Sequence, residues 1–224
     1  MMAGANRANA LRTRFLFWLV LLLSPYSSAS GFDLNDQCPP SFALSSDNQC
    51  QLRNLYQLYD SLQGQGLGGL KTALPHHRDG FSPQQIDLGR LLFFDPVLSG
   101  NKDLSCANCH NPAKGFSDGM ARSVGASGEL HPRSAPTLWN SAFLKSLLWD
   151  ARADSLEQQA LGPLFSELEM ANTPEQLMAN LNQVDAYPEL FTQAFPNSED
   201  AMVIANITTA LTAFQSSLIS LNSP

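Results

Sequence analysis

The sequence predicts an all-α protein. Several segments carry apolar residues at intervals of three and four, which places them on one face of a helix. Serine–proline and threonine–proline pairs and glycine clusters separate these segments, at points where helices typically start and stop. No run shows the alternating apolar and polar pattern of a half-buried strand, and no internal repeat is visible. The pattern therefore favours a small helical domain.

The expected helices follow one another along most of the chain. The first covers 52–62 and ends at a glycine cluster; the second opens at Ser82-Pro83 and stops before Pro96. A short helix is expected at Cys106, followed by a glycine-rich loop over 115–128. Further helices are predicted over 142–148, 155–161, 173–181, 188–194 and 200–221, the last having apolar residues spaced for burial.

One five-residue motif in this helical background points to a specific cofactor. The run Cys106-Ala107-Asn108-Cys109-His110 has the C-x-x-C-H pattern through which c-type haem is attached. Zinc would need two further ligands at matching spacing, and a thioredoxin-like motif would need a βαβ context, but the sequence offers neither. We therefore expect one covalent haem c, held by the thiols of Cys106 and Cys109, with His110 as the ligand of the iron.

The N-terminus has the three-part pattern of a secretory signal peptide. Arg7, Arg12 and Arg14 precede an uninterrupted apolar run over 15–23, and small polar residues follow up to position 30. The run is too short to span a membrane as a helix, so we expect residues 1–30 to be cleaved and the mature protein to be periplasmic, without membrane contact. An uncleaved anchor is the alternative. Because haem is attached to such motifs outside the bacterial cytoplasm, the signal peptide and the motif agree.

Charge and cysteine usage fit an exported redox protein. Removing residues 1–30 takes away three arginines and no acidic residue, so the net charge changes from −7 to −10. Such a surface repels nucleic acid and either attracts a basic redox partner or simply keeps the protein soluble. Cys38 and Cys50 lie in the N-terminal segment 31–75, and in an oxidising compartment we expect them to form a disulfide rather than two free thiols.

The second axial position of the iron decides between an electron carrier and a catalyst. A side chain such as His131 would fill this position, as in a mono-haem electron-transfer cytochrome. If the position stays open, peroxide cleavage needs a group that accepts and returns a proton. Three glutamates of a largely apolar segment are candidates for that group: Glu157, Glu167 and Glu169. The residues alone leave both alternatives open.

Three ordered blocks carry a resemblance to a known family: LGRLLFFDPVLSGNKDLSCANCHNPAKGFSDG, APTLWN and LLWDARADSLEQQALGPLFSELEM. In these blocks the chain resembles the N-terminal haem domain of bacterial di-haem cytochrome c peroxidases, and it is similar to the related methylamine-utilisation maturation enzymes. The resemblance implies a cytochrome c-like haem domain over 76–224. It also implies a second domain with its own C-x-x-C-H, which we expect to be either truncated from this sequence or supplied by another chain.

The resemblance also implies a function. Family members reduce hydrogen peroxide to water with electrons from a small cytochrome c or copper protein, and a homodimer is compatible with this activity. Carried over by resemblance, Glu169 is the acid–base group and Gln159 its distal partner. Trp149, in the W-D-x-R block, is an electron relay between two haems. A maturation-type oxidase acting on a protein or peptide is the alternative within the family.

Two positions depart from the family pattern. Ala126 stands where well-known peroxidases have a removable distal histidine, so either His131 substitutes for it or the iron stays open without reductive activation. The run Leu130-His131-Pro132-Arg133 favours the second alternative. Ser134 stands where the family often has a calcium-binding asparagine, so calcium is not expected.

Overall fold

The structure is mostly helical, with one small sheet. The computed structural model describes residues 32–53 and 76–220. Within these ranges, six α-helices, three one-turn 3-10 helices and one two-stranded sheet are present. The helices are α1 (Pro83–Phe94), α2 (Cys106–Cys109), α3 (Leu156–Phe165), α4 (Pro174–Asn182), α5 (Tyr187–Ala194) and α6 (Ile204–Ser216). None of the helices in these ranges is long and apolar enough to cross a bilayer.

The all-α prediction is confirmed for the helical core and is wrong for the N-terminal segment. There, β1 (Phe42–Leu44) and β2 (Cys50–Leu52) form an antiparallel pair, with Phe42 opposite Leu52. Strands of three residues are too short to display a clear period-two pattern, so the sequence does not reveal them. The predicted signal peptide lies outside the described residues. The predicted helix over 52–62 lies outside them as well, except for its first two positions, where Leu52 belongs to β2.

The expected disulfide between Cys38 and Cys50 is present within the N-terminal segment, and the main chain of Cys50 ties the sheet to the chain before α1. Cys50 is 1% exposed and pairs with Phe81 through main-chain hydrogen bonds. The bond closes a loop with a sequence separation of 12, which contributes roughly 3 kcal/mol in the chain-entropy model. The N-terminal segment therefore packs on the helical core.

Local capping sets most helix starts where the sequence predicts them. The side chain of Ser82 accepts a hydrogen bond from the backbone of Gln85, whose own side chain accepts one from the backbone of Ser82. Ser155 and Thr173 cap α3 and α4 more simply: each side chain accepts a hydrogen bond from the backbone N–H three residues on, at Gln158 and Gln176. The starts of α1, α3 and α4 are thus confirmed because each depends on residues three positions apart.

The predicted helix over 142–148 is wrong. The structure has one 3-10 turn, Ser141–Phe143, after which the chain leaves helical geometry. Leu148 and Ala151 adopt positive φ angles of 67° and 56°, which interrupt a right-handed helix. Two apolar residues of this range, Ala142 and Leu147, instead pack with Ala153 and with Leu156 at the start of α3.

The last helix is shorter than the predicted range 200–221. Asp200 accepts a hydrogen bond from the backbone of Met202 in a turn that precedes α6, so the helix begins only at Ile204. Beyond Ser216, Asn140 both donates to and accepts from the main chain of Ser220. These long-range bonds replace the next helical turn.

The core is centred on the crossing of α1 and α6. At Gly89 the two helices approach so closely that a Cβ atom would lie 1.8 Å from the carbonyl oxygen of Ala210. Close by, the rings of Phe93 and Phe214 pack with centroids 5.0 Å apart. The absence of a side chain at position 89 therefore sets the distance between the helices.

We expect Gly89→Ala to destabilise the fold by about 1–3 kcal/mol, because α1 and α6 would have to separate around the new methyl group. Urea unfolding followed by circular dichroism measures this loss. Gly162→Ala is the matched control: it lies in α3 with nothing within 4 Å of the added Cβ, so stability should be unchanged or raised by up to about 1 kcal/mol. Equal stabilities for the two variants would contradict the packing argument.

Candidate active site

The C-x-x-C-H motif forms one helical turn with both thiols on it. The backbone N–H of His110 donates to the carbonyl of Cys106 at 2.9 Å, which closes α2. Cys106 and Cys109 are free and half-buried, and burial raises the pKa of Cys109 and raises that of Cys106 to about 12. Among the described residues, no group of three or more His, Cys, Asp or Glu residues could hold a metal ion. The two thiols therefore suit thioether bonds to haem better than a zinc site.

The ring of His110 is oriented by two main-chain carbonyls. Its Nδ1 lies 3.0 Å from the oxygen of Phe116 and 3.1 Å from that of Pro136. Carbonyl oxygens only accept, so Nδ1 carries the proton and Nε2 keeps a lone pair. Burial is the main cause that lowers the pKa of His110, which keeps the ring neutral. These residues fit the proximal ligand of a haem.

A cleft of about 480 Å³ brings together two of the predicted site residues. Gln159 reaches it from α3, and Glu169 reaches it from the turn that follows α3; His131 lines it as well. The attachment motif is joined to this cleft through one loop: Sγ of Cys109 lies 3.9 Å from the carbonyl oxygen of Val124, and the next residue, Gly125, packs against the carbonyl of Leu168 beside Glu169. This volume is in the usual range for a ligand-binding cleft.

The turn that carries Glu169 is held through its main chain from two sides. The N–H of Gly100 donates to the carbonyl of Met170 at 2.9 Å, and that of Ala126 donates to the carbonyl of Glu169 at 2.7 Å. A Cβ atom at Gly100 or Gly125 would lie 2.1 Å or 1.8 Å from a carbonyl oxygen of this turn. Glycine backbone therefore fixes where Glu169 sits.

The imidazole of His131 contacts Glu169. Its Nε2 lies 2.9 Å from Oε1 of the carboxylate, and both side chains are partly buried. The sequence suggests His131 only as an iron ligand. It does not predict this pairing, because nothing in the local pattern relates the two residues.

Of the other two candidate glutamates, Glu157 forms an ion pair with Arg78 at 2.6 Å and lines a different pocket. Glu167 is exposed and is not among the residues that line the cleft. Glu169 is thus the one of the three glutamates that the structure brings to the cleft.

Trp149 lies outside the residues that line the cleft. It is 72% exposed, and the guanidinium of Arg133 stacks over its ring at 4.2 Å. Its neighbour Leu148 lines the cleft, which places Trp149 beside the cleft rather than in it. The sequence analysis did not identify Arg133 as a partner of this tryptophan.

Comparison with known proteins relates the chain to haem enzymes. A family model described as "Di-haem cytochrome c peroxidase" matches residues 83–224. The methylamine utilization protein MauG of Methylorubrum extorquens is 40% identical over 153 residues, which cover 68% of this chain and 43% of that protein. Cytochrome c551 peroxidase of Pseudomonas aeruginosa is 38% identical over 143 residues, covering 64% of this chain and 41% of that protein.

Solved structures agree with the sequence matches. The crystal structure of a MauG-like protein associated with microbial copper homeostasis aligns with a TM-score of 0.64 and 34% identity, covering 69% of this chain and 47% of that one. The diheme peroxidase BthA from Burkholderia thailandensis aligns with a TM-score of 0.55 and 26% identity. The chain thus spans less than half the length of these relatives. Because the family model covers more than half of the chain, this protein belongs to the di-haem cytochrome c peroxidase family.

Proposed function

We propose that residues 76–224 form the peroxide-reducing haem domain of a periplasmic cytochrome c peroxidase, preceded by a signal peptide over 1–30 and the disulfide-bearing segment 31–75. The enzyme reduces hydrogen peroxide to water with electrons from a small cytochrome c or copper protein. One observation carries the proposal: Gln159 and Glu169 converge on a single cleft, and the loop over 124–126 contacts both Glu169 and the attachment motif.

Cys106, Cys109 and His110 would hold one haem c, with thioether bonds from the two sulfurs and Nε2 of His110 facing the iron. When bound, the haem supplies the electrons that break the O–O bond of peroxide. The carbonyls of Phe116 and Pro136 support this assignment, because they leave Nε2 available and increase the electron density of the ring.

Glu169 is proposed as the proton-transfer group. Its carboxylate accepts the proton from one peroxide oxygen and returns it to the other oxygen, which then leaves as water. The amide of Gln159 lines the same cleft and can donate a hydrogen bond to peroxide, holding it where the transfer occurs. The close contacts of Gly100 and Gly125 with the turn that carries Glu169 support this role, because proton transfer needs a fixed distance between base and substrate.

Trp149 is proposed as the residue through which electrons move between this haem and a second redox centre. Its exposed indole beside the cleft supports that role, and it also favours a second candidate function. In an oxidase of the MauG type, electrons would pass through the same residue in the opposite direction, out of a protein or peptide substrate.

We expect the double variant Cys106→Ser, Cys109→Ser to lose covalent haem, because neither hydroxyl forms a thioether bond. The protein is purified from a host with c-type haem maturation, and bound pigment is measured after denaturing electrophoresis. Cys38→Ser, Cys50→Ser is the matched control and should keep its pigment. Pigment retained by the first variant would contradict the assignment.

Glu169→Gln should slow the reaction with hydrogen peroxide by about 10²–10⁴-fold, the usual contribution of a general acid–base group. Stopped-flow absorption of the haem-loaded protein gives this rate constant. Glu157→Gln is the control, since Glu157 is paired with Arg78 outside the cleft. A Glu169→Gln protein as fast as the unmodified protein would remove the chemical basis of the proposal.

Trp149→Phe should leave the peroxide step unchanged while slowing the following reduction by a donor protein, because phenylalanine is harder to oxidise than tryptophan. Single-turnover kinetics with reduced cytochrome c or copper protein separate the two steps. Loss of oxidation of a protein substrate, with donor reduction intact, would favour the MauG-type function. Unchanged electron transfer in both directions would exclude Trp149 as the relay.

A further inference from the structure

We propose that His131 is a positioning residue for Glu169: it donates a hydrogen bond from Nε2 to the carboxylate and does not bind the iron. The inference rests on the proposed function, because it assigns a partner to the proton-transfer group of the same cleft. It concerns a contact between two side chains of this chain that neither the C-x-x-C-H motif nor the family resemblance identifies.

The geometry of the imidazole assigns the donor. Nε2 lies 2.9 Å from Oε1 of Glu169, while Nδ1 lies 3.4 Å from both the backbone nitrogen and the backbone oxygen of Arg133. In the neutral ring, Nδ1 accepts from the backbone nitrogen and the proton is on Nε2. In the charged ring, both nitrogens donate. In either state the Nε2 proton points to the carboxylate.

A short hairpin presents His131 to Glu169. The backbone N–H of His131 donates to the carbonyl of Ser123 at 2.7 Å, and Arg122 donates to the carbonyls of Leu130 and His131. The opposite end of the same hairpin donates from Ala126 to the carbonyl of Glu169. The hairpin thus contacts the Glu169 turn twice, once through its backbone and once through the imidazole.

Partial burial distinguishes this pair from a solvated surface ion pair. The side chains of His131 and Glu169 are 26% and 33% exposed. Arg152 is the other cation that lines the cleft, but its guanidinium is bound to both carboxylate oxygens of Asp150. In the attachment motif, burial raises the pKa of Cys109 and lowers that of His110, so neither carries a charge that would compete for the carboxylate. His131 is therefore the group placed to orient Glu169.

The contact has one chemical consequence. A donated hydrogen bond holds the carboxylate in one rotamer, which fixes the distance between the proton-transfer group and peroxide. Without the donor, the side chain rotates freely and is less often placed to accept the proton. The peroxide reaction should then be slower.

The test compares two amides at position 131 in the full-length, haem-loaded protein. In His131→Gln the amide nitrogen reaches about as far as Nε2 and can still donate to Glu169, whereas the shorter His131→Asn cannot. Both replacements are polar, which suits a partly exposed loop. His76→Gln is the control, since His76 is exposed and lies outside the cleft.

We expect His131→Asn to react with peroxide about ten- to a hundredfold more slowly, which is the usual effect of a lost hydrogen bond to a charged group. His131→Gln should stay close to the unmodified protein, and the ferric absorption spectrum should be the same in all variants because His131 is not an iron ligand.

A second readout does not depend on turnover. The infrared carboxylate stretching band of Glu169, identified by its disappearance in Glu169→Gln, should change frequency in His131→Asn, because one carboxylate oxygen loses its hydrogen-bond donor. His131→Gln should restore the original frequency.

Three results would overturn the inference. A change of ferric spin state in both position-131 variants would make His131 an iron ligand. If His131→Asn and His131→Gln both keep the peroxide rate and the carboxylate band of the unmodified protein, the contact has no role. A slow Glu169→Gln protein would then leave the proposed function intact. A Glu169→Gln protein as fast as the unmodified one would remove both proposals together.

Discussion

The close approach of two glycines to the turn over 166–171 is the constraint on which the cleft depends. Gly100 and Gly125 bring their backbones so near to this turn that neither position has room for a Cβ atom. That proximity allows Gly100 and Ala126 to donate main-chain hydrogen bonds to it. Glu169 is consequently held by backbone contacts on two sides. A proton-transfer group benefits from such support, because the effect of distance on proton transfer is steep.

The two histidines near the cleft show how the hydrogen-bond partner, and not the residue type, sets the role of an imidazole. At His110, two carbonyls take the Nδ1 proton, which leaves Nε2 with a lone pair for iron. At His131, Nε2 faces the carboxylate of Glu169, which needs a donor. The same side chain thus offers a lone pair in one place and a hydrogen-bond donor in the other.

Sequence reasoning was accurate where a few neighbouring residues decide the outcome. The start of α1 follows from the reciprocal bonds of Ser82 and Gln85, and the attachment motif occupies a single helical turn. It was wrong over 142–148, where apolar spacing suggested a helix but Leu148 adopts a positive φ angle. It also extended the last helix past Ser216, because the bonds of Asn140 to Ser220 join segments far apart in the chain.

By itself, the sequence determined the C-x-x-C-H motif, the helix starts and the family resemblance, since each depends on side chains a few positions apart. Only the tertiary structure decided which of the candidate glutamates reaches the cleft, and that His131 is its partner. It also decided that the guanidinium of Arg133 stacks over the ring of Trp149. These pairs form where loops distant in sequence meet, and their meeting depends on glycine contacts and backbone hydrogen bonds that leave no periodic signal in the chain.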